Sequence, residues 1–164
     1  MIRTPTIADP DFFRRLKVLI VEDSEEMRRL LSALLETMGV TDIVETRDGA
    51  SGLAAFAAHK PDIIITDGAM VPMDGYEMTR AIRATGDAED ANPDVPILMI
   101  SGHIGRDKIS QARDHGVTDY LEKPLSADVL YEAIVTAVSK PIHFVEKPGY
   151  RGPSPRRSLD ARRS

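Results

Sequence analysis

The chain alternates between short apolar runs and longer segments in which apolar residues recur at helical spacing. Nearly uninterrupted apolar residues occupy three of the short runs, at 18–21, 63–65 and 95–100. Short runs without polar alternation are typical of strands buried on both faces of a parallel sheet. Two less apolar strands are predicted over 43–46 and 119–122. The run at 63–65 leads directly to Asp67 and is predicted to be the central strand.

Five helices are predicted around these strands, over residues 25–38, 49–59, 75–84, 106–115 and 126–139. Ser24 is a good N-cap for the first, and Gly39 is expected to end it. Its apolar residues recur at helical spacing at Met27, Leu30, Leu31, Leu34, Leu35 and Met38. In the second, the predicted inward residues are Leu53, Phe56 and Ala57. The fourth has little apolar periodicity and is predicted to be loosely held or to lie on the surface. The fifth has a predicted apolar face of Val129, Ala133, Ile134, Ala137 and Val138.

Five strands alternating with five helices predict an α/β domain of the (βα)5 type. Right-handed crossovers then give a doubly wound five-stranded parallel sheet with helices on both faces. The domain is expected over 17–139, with an N-terminal extension at 1–16 and a tail at 140–164. In the extension, Asp9 and Pro10 are predicted to start a short helix that packs on the body, and disorder is the alternative interpretation.

Composition and charge narrow the function classes. The chain has 164 residues and no cysteine, which excludes disulfide and thiolate chemistry. It shows neither a run of about 18 apolar residues nor a signal-peptide start, so we expect a cytoplasmic protein without membrane insertion. The net charge is −5, but residues 140–164 carry seven Lys or Arg against two acids. The acidic body argues against DNA binding, while the basic tail could contact acidic surfaces or be a solvated end.

Polar residues follow four of the predicted strands. Glu22 and Asp23 follow the first, Asp67 the third, Ser101 the fourth and Lys123 the fifth. The carboxyl ends of parallel strands meet at one edge of such a sheet, where ligands bind. Each residue alone has an ordinary interpretation, such as a turn-capping aspartate, acids at a helix start or a surface lysine. Their shared placement favours one site.

The residue types at this edge indicate phosphoryl chemistry. Converging carboxylates repel one another, and Mg²⁺, which prefers oxygen ligands, relieves that repulsion. A lysine and a hydroxyl beside a metal fit the oxygens of a phosphoryl group. Asp67 is then predicted to be a nucleophile that forms an aspartyl phosphate, with Lys123 and the metal stabilising the transferring group.

Motifs at the strand ends are similar to those of a known family. The matching segments are Val-Leu-Ile-Val-Glu-Asp at 18–23, Pro-Asp-Ile-Ile-Ile-Thr-Asp at 61–67, Met70, Met-Asp-Gly at 73–75, Ile-Leu-Met-Ile-Ser-Gly at 97–102 and Gly-Val-Thr-Asp-Tyr-Leu-Glu-Lys-Pro at 116–124. Over about residues 16–139 the chain resembles response-regulator receiver domains, the CheY-like fold of two-component signalling. The resemblance implies strand order 2-1-3-4-5, and phosphorylation of Asp67 by a sensor histidine kinase or a histidine phosphotransfer protein.

The resemblance also implies roles for individual residues. The implied Mg²⁺ ligands are Glu22, Asp23, Asp67 and the backbone carbonyl of Ala69. Ser101 and Lys123 would contact the phosphoryl group, and Tyr120 would swing inward when Ser101 closes on it. The Lys123–Pro124 peptide is commonly cis in the family. The residue type alone shows only that Tyr120 is well suited to a strand, so its role as a switch rests on the resemblance.

The sequence departs from the family pattern beside Asp67. Val71 separates Met70 from Pro72, where proline usually follows directly, so the loop is expected to close with a different turn. Gly68 stands where a larger side chain is usual.

Two further positions concern the lifetime of the phosphate. The resemblance to receiver domains implies that the side chains at the positions of Ala69 and His103 line the path of attacking water, and neither of these two orients water well. Slow intrinsic dephosphorylation is therefore predicted. His103 could instead contact a partner or be a solvated loop residue.

These features predict a stand-alone receiver that signals by phosphorylation-dependent contact with a downstream protein. The expected reader surface is formed by segments 106–115, 119–122 and 126–139. The alternative function is a phosphorelay shuttle or phosphate sink. A small Mg²⁺ phosphatase is disfavoured because Ala69 replaces the second acid that it would need, and an FMN binder because Glu22 and Asp23 would repel phosphate.

The tail is similar to the basic ends of a subgroup of stand-alone alphaproteobacterial receivers. The similarity is carried by Phe144-Val145, by 149–153 and by Arg156-Arg157. Two interpretations remain open: a docking strap that uses Ile142, Phe144 and Tyr150, or a solvated end.

Overall fold

A computed structural model of the chain describes residues 11–85, 92–102 and 116–139, and the backbone of 144–147 and 150–153. A 3₁₀ turn at Phe13–Arg15 comes first. The strands are β1 (Lys17–Val21), β2 (Asp42–Thr46), β3 (Ile63–Asp67), β4 (Ile97–Ser101), β5 (Asp119–Glu122), β6 (Phe144–Lys147) and β7 (Tyr150–Pro153). The helices are α1 (Glu25–Met38), α2 (Gly49–His59), α3 (Gly75–Arg83) and α4 (Ala127–Ser139). The helix predicted over 106–115 lies outside the described residues.

The first five strands form one parallel sheet in the order β2-β1-β3-β4-β5. β1 pairs with β2 on one side and with β3 on the other. The register of β3 with β4 sets Asp67 opposite Ile100, and that of β4 with β5 sets Ser101 opposite Glu122. The predicted parallel sheet and its strand order are confirmed.

Helices cover both faces of the sheet, and each face has its own apolar core. Residues of α1 and α4 pack on one face, with Ile134 fully buried among them. Residues of α2 and α3 pack on the other, with Met78 fully buried. Ile20 of β1 belongs to the first core and Leu19 to the second. Because both faces of a central strand are buried, these strands are apolar without alternation.

The residues just before β1 pack on the body, as predicted. Phe13 and Leu16 are buried in the core formed with α1 and α4. The rings of Phe12 and Phe13 meet edge to face with their centroids 4.9 Å apart. This segment is a 3₁₀ turn, and its predicted start at Asp9 and Pro10 lies outside the described residues.

Side-chain caps set the helix starts. Ser24 Oγ accepts the Met27 N–H at 3.2 Å, and Asp48 and Asp74 each accept the N–H three residues further on. Gly39 ends α1 with φ 111°, a left-handed conformation that glycine adopts without strain. The predicted limits of α1 are therefore confirmed. No helix in the described part of the chain is long and apolar enough to cross a bilayer.

Three positions predicted from helical periodicity are exposed. In α2, Ala57 is exposed and Ala55 is buried instead, since the small alanine side chain says little about which face is inward. Val129 is 42% exposed in the first turn of α4, while the next residue, Leu130, is fully buried. Leu30 of α1 is also 42% exposed. The other residues predicted on these faces are buried or pack against the two cores.

β4 begins later than the apolar run predicts. Val95 is buried, but its N–H donates to the Asn92 carbonyl at 3.1 Å in a turn. Pro96 has no N–H to donate to a neighbouring strand. The strand therefore runs from Ile97 to Ser101 rather than from Val95 to Ile100.

A buried arginine ties the end of α3 to the segments that precede β4 and β5. Arg83 is only 2% exposed. Its Nε and one terminal nitrogen donate to the Gly116 carbonyl at 3.0 and 2.9 Å. The other terminal nitrogen donates to the carbonyls of Pro93 and Val95 at 2.8 and 2.6 Å. A fifth bond of 3.4 Å reaches Thr118 Oγ1, so this guanidinium group organises the amino-terminal edge of the sheet.

β6 and β7 form a separate two-stranded antiparallel ribbon within the tail. Two residues separate the strands, and Lys147 pairs with Tyr150 across them. The backbone of β7 approaches α3, with Cα atoms within 8 Å. The sequence pattern does not predict these strands. Ile142 lies outside the described residues. The two interpretations of the tail, a docking strap and a solvated end, both stay predictions.

Candidate functional site

The carboxyl ends of β1, β3, β4 and β5 converge at one edge of the sheet. Glu22 and Asp23 directly follow β1, Asp67 ends β3, and Lys123 follows β5. The Lys123 N–H donates to the carbonyl of Ser101, the last residue of β4, at 2.7 Å. The structure thus brings together the residues expected at this edge, and their roles in phosphoryl chemistry stay predictions.

Three carboxyl groups form an acidic cluster. One carboxylate oxygen from each of Glu22, Asp23 and Asp67 lies within 4.8 Å of the other two. Glu22 is 1% exposed and Asp67 is 9% exposed, whereas Asp23 is exposed. Glu22 and Asp67 are therefore covered by the protein, and solvent reaches the cluster at Asp23. Carboxylate oxygens are ligands that Mg²⁺ prefers, so the donor set and its access fit this cation.

One lysine faces the cluster. Lys123 Nζ lies 3.5 Å from Glu22 Oε1 and 3.9 Å from Asp67 Oδ1. Both distances are long for a charge-assisted hydrogen bond, so the ammonium group is shared between the two carboxylates. Within the described part of the chain, this one ammonium group offsets only part of the negative charge of the three carboxyl groups.

Glu22 shows the electrostatic cost of the cluster. Burial raises the pKa of Glu22 to about 7, although the Ser24 N–H that donates to its Oε2 at 3.1 Å acts to lower it. The charge of Asp67 and a hydrogen bond with Asp23 also raise this pKa, and Lys123 lowers it. Near neutral pH a proton therefore competes with a cation for the Glu22 carboxylate.

Two glycines allow the loop after β3 to close against helix starts. The Gly75 N–H donates to the Gly68 carbonyl at 3.1 Å, and a Cβ at Gly75 would overlap the carbonyl oxygen of Asp67. The Gly49 N–H donates to the Met73 carbonyl at 2.9 Å, and a Cβ there would lie 2.6 Å from that oxygen. Larger residues at either position would displace the segment that carries Asp67.

Two cis peptides flank the site, at Val71–Pro72 and at Lys123–Pro124. The second confirms the expectation taken from the family resemblance. In the first, Val71 is 82% exposed, and the loop still reaches Asp74, which caps α3. The predicted closure of this loop is confirmed by the bond from the Gly75 N–H to the Gly68 carbonyl, and a turn different from that of the family stays a prediction.

The other predicted site residues lie at different depths. Ser101 is half-buried at the end of β4. Ala69 is exposed, and its N–H donates to Asp67 Oδ1 over a long 3.4 Å; the role of its carbonyl as a ligand stays a prediction. Tyr120 is buried in β5. Outside the described residues lie His103 and the helix predicted over 106–115.

Sequence reasoning missed Tyr76, in the first turn of α3. It packs with Met99, Val117 and Tyr120 in a small buried cluster. Burial raises the pKa of the Tyr76 hydroxyl well above its usual range, and a hydrogen bond with Tyr120 raises it further. One signal was available: Gly68 lacks the side chain that usually stands there, and a large aromatic residue follows Gly75 at the helix start.

Comparison with known sequences gives a consistent result. The family model described as response regulator receiver domain matches residues 18–135. The chemotaxis protein CheY of Pseudomonas aeruginosa is 36% identical over 119 residues, which make up 73% of this chain and 93% of that protein. The region that the family model matches includes β2 to β5 and all of β1 except Lys17.

Solved structures agree. The Vibrio cholerae chemotaxis protein CheY4 superimposes with a TM-score of 0.66 at 29% identity, over 74% of this chain and 98% of that one. The receiver domain of the histidine kinase CKI1 from Arabidopsis thaliana, complexed with Mg²⁺ and BeF₃⁻, gives 0.65 at 28% identity, over 76% of this chain and 93% of that one.

Proposed function

The chain belongs to the family of response regulator receiver domains, and from that premise we propose that it accepts a phosphoryl group on Asp67 and signals by contact with another protein. Receiver domains interact with histidine kinases and with downstream targets. The proposed donor is the phosphohistidine of a sensor kinase or of a phosphotransfer protein. The proposed output is a change of binding surface rather than turnover of a small molecule.

One observation carries this proposal: the acidic cluster and a lysine meet at the end of β3. Asp67 is 9% exposed, and one of its carboxylate oxygens lies within 4.8 Å of oxygens of Glu22 and Asp23. Lys123 Nζ lies 3.9 Å from Asp67 Oδ1. Among the described residues, three carboxyl groups and one ammonium group meet here, which leaves an excess of negative charge. Mg²⁺ would offset that excess, and the ammonium group would hold a phosphoryl oxygen.

In the proposed reaction, a carboxylate oxygen of Asp67 attacks the phosphorus of a phosphohistidine. The new O–P bond forms as the N–P bond breaks, and the imidazole nitrogen leaves with the electron pair. Lys123 Nζ, 3.9 Å from Asp67 Oδ1, would hold one phosphoryl oxygen and offset its charge. The Ser101 hydroxyl, at the end of the neighbouring strand, would donate a hydrogen bond to another.

Glu22, Asp23 and Asp67 would hold Mg²⁺, with the carbonyl of Ala69 as a further proposed ligand. When bound, Mg²⁺ supplies positive charge beside the oxygens of the transferring group. The Arabidopsis receiver domain was solved with Mg²⁺ and BeF₃⁻, which supports the same ligand classes here. Glu22 must lose its proton to take part, and its contact with Lys123 favours that loss.

Phosphorylation would then bias the chain between two arrangements. The added phosphoryl group brings negative charge and strong acceptor oxygens to one edge of the sheet. A shift from mostly inactive to mostly active requires about 5 kcal/mol of difference between the two arrangements. We propose that Ser101 and Tyr120 supply part of that difference, and that the surface formed by β5, α4 and segment 106–115 is read by the partner.

A phosphorelay shuttle is the second candidate, favoured by one observation. Ala69 is exposed beside the site and offers only a methyl group, which cannot orient water for hydrolysis. A long-lived aspartyl phosphate would suit onward transfer. Return of the label from the purified phosphoprotein to a histidine phosphotransfer protein would favour the shuttle, and its absence would favour the switch.

The chemistry is tested by the intact mass of the protein after incubation with Mg²⁺ and acetyl phosphate. We expect one acid-labile phosphate on the wild type and none on Asp67→Asn, which keeps the shape of the side chain but not its nucleophilic carboxylate. Chelation of Mg²⁺ should also abolish the label. Equal labelling of the two proteins would overturn the proposal.

A further inference from the structure

Two tyrosines lie side by side next to the proposed phosphoacceptor loop. Tyr76, from the start of α3, and Tyr120, from β5, are 6% and 5% exposed. They share a buried cluster with Met99 of β4 and with Val117. The pair therefore spans β4 and connects the β3–α3 region to β5.

Because Gly68 has no side chain, the Tyr76 ring can pack against its backbone. A Cβ at Gly68 would lie 3.1 Å from Cε2 of Tyr76 and 3.2 Å from the sulfur of Met99. The ring thus covers the backbone immediately after Asp67. The two segments are also joined through the backbone, since the Gly75 N–H donates to the Gly68 carbonyl at 3.1 Å. Movement of the loop that carries Asp67 would therefore move Tyr76.

The other end of Tyr76 is tied to Tyr120. The two side chains, which pack in the same buried cluster, share a hydrogen bond that favours the neutral form of Tyr76 and so raises its pKa. Because both residues are buried, water does not readily replace a lost partner, and leaving a buried hydroxyl unpaired costs more than the bond itself contributes. The bond accordingly favours the arrangement in which Tyr120 is buried.

We propose that Tyr76 is a positioning residue that holds Tyr120 in its buried arrangement and connects it to the loop carrying Asp67. The part of this proposal that treats Tyr120 as the switch residue rests on the proposed function. The contact between Tyr76 and Tyr120, which we call the holding contact, is present without phosphorylation. Tyr76 would thereby set how often the unphosphorylated chain already has Tyr120 inward, the population that phosphorylation then increases.

The holding contact is tested by ¹⁹F NMR on protein labelled with 3-fluorotyrosine. The chain has four tyrosines, so Tyr120→Phe assigns the Tyr120 resonance by its loss. A soluble paramagnetic agent then reports how exposed the Tyr120 ring is. In Tyr76→Phe, which keeps the ring and removes only the hydroxyl, we expect the outward-to-inward ratio of Tyr120 to rise about fivefold, the factor that one net hydrogen bond supplies.

Tyr131→Phe is the matched control. Tyr131 is half-buried on the other face of the sheet, where its ring lies 5.2 Å from that of Phe13. Removal of its hydroxyl should leave the Tyr120 resonance unchanged. A purely structural role of Tyr76 would lower the melting temperature without changing the exposure of Tyr120, and that result would overturn the proposal.

A second variant pair keeps all four hydroxyl groups. In Gly68→Ala the added methyl group presses on the Tyr76 ring, whereas in Gly102→Ala it meets no atom of the described residues within 4 Å. We expect the first to shift the Tyr120 resonance and the second to leave it in place. If neither Tyr76→Phe nor Gly68→Ala affects Tyr120, the proposed link is wrong.

The same samples separate this proposal from the proposed function. Intact mass after acetyl phosphate treatment reports whether Asp67 is phosphorylated, and the Tyr120 resonance reports its exposure before treatment. Failure of phosphorylation with a normal response to Tyr76→Phe would reject the phosphoacceptor role and keep the holding contact. Phosphorylation of Asp67 without any response of Tyr120 to Tyr76→Phe would keep the phosphoacceptor role and reject the holding contact.

Discussion

At the carboxyl edge of the sheet one lysine lies beside two of three clustered carboxyl groups, while at the amino edge one arginine is surrounded by backbone carbonyls. Glu22 and Arg83 are equally inaccessible, at 1% and 2% exposure. Arg83 makes five hydrogen bonds of 2.6 to 3.4 Å. Glu22 instead has a pKa raised to about 7 by its surroundings. The surroundings of Arg83 satisfy its charge with hydrogen bonds, whereas those of Glu22 disfavour its charged form.

We interpret this difference as that between a structural charge, Arg83, and a charge of the proposed binding site, Glu22. Carbonyl acceptors fixed by strands and turns can satisfy a guanidinium group permanently, so Arg83 needs no ligand. Carboxylates that face one another carry an energy that only an added cation or a proton removes. A buried titratable group with incomplete compensation is therefore the better indicator of a binding site in this chain.

The largest effect is expected from removing the matched charge. Arg83→Met should lower the free energy of unfolding by about 3 kcal/mol, because it leaves the buried carbonyls that Arg83 binds without that partner. Urea denaturation measures this loss. Arg80→Met on the exposed side of the same helix should stay within about 0.5 kcal/mol of wild type. A loss below about 1 kcal/mol for Arg83→Met would show that water can replace the guanidinium group.

Removing the lysine at the other edge should affect chemistry rather than stability. Lys123→Met should slow phosphorylation by acetyl phosphate about 100-fold, since a positive charge beside the transferring oxygens is lost. The rate is followed by intact mass over time. Lys17→Met, a surface lysine on β1, is the control and should react at the wild-type rate. Unchanged kinetics in Lys123→Met would remove the lysine from the proposed mechanism.

Mg²⁺ should stabilise the carboxyl edge specifically. At ten times its Kd, it should raise the free energy of unfolding of the wild type by about 1.4 kcal/mol. Asp23→Asn should lose most of this gain, because it removes the exposed carboxylate of the cluster. Arg83→Met, although less stable, should keep the full gain. Denaturation with and without Mg²⁺ gives all three values, and an equal gain in Asp23→Asn would count against the site.

The smallest effect concerns pH. The pKa of Glu22 is raised to about 7 without metal, so Glu22 is increasingly protonated as the pH falls through 7, and Mg²⁺ must displace that proton. The apparent Kd for Mg²⁺ should therefore rise about threefold between pH 7.5 and 6.5. Calorimetric titration measures it. Glu22→Gln should bind more weakly and without this dependence; the same slope in both proteins would assign it to another group.

Much of the carboxyl edge could be predicted from the sequence, because its residues stand directly after apolar strands. Asp67 and Lys123 are 56 positions apart, yet the parallel topology alone brings them to one edge. The predicted limits of α1 also follow from local signals, since Ser24 and Gly39 act on their own backbone. Where a side chain interacts within a few residues, sequence reasoning is reliable.

The amino edge and the tyrosine pair could not be predicted in the same way. Arg83 looks like a surface residue at a helix end, and its acceptors at Pro93 and Gly116 lie far along the chain. Tyr76 meets Tyr120 only because the fold places α3 over β4. Ala57 was predicted inward and is exposed, since alanine adds little apolar area that could fix the helix rotation. These features depend on tertiary contacts, not on local pattern.

The most direct test of the central claim is to locate the phosphate within the chain. The aspartyl phosphate formed with acetyl phosphate and Mg²⁺ is reduced with borohydride, which converts the modified aspartate to homoserine, and the peptides are mapped by mass spectrometry. We predict homoserine at position 67 alone, with none in protein kept free of Mg²⁺. Homoserine at Asp23 or elsewhere, with Asp67 intact, would contradict the assignment of the phosphoacceptor.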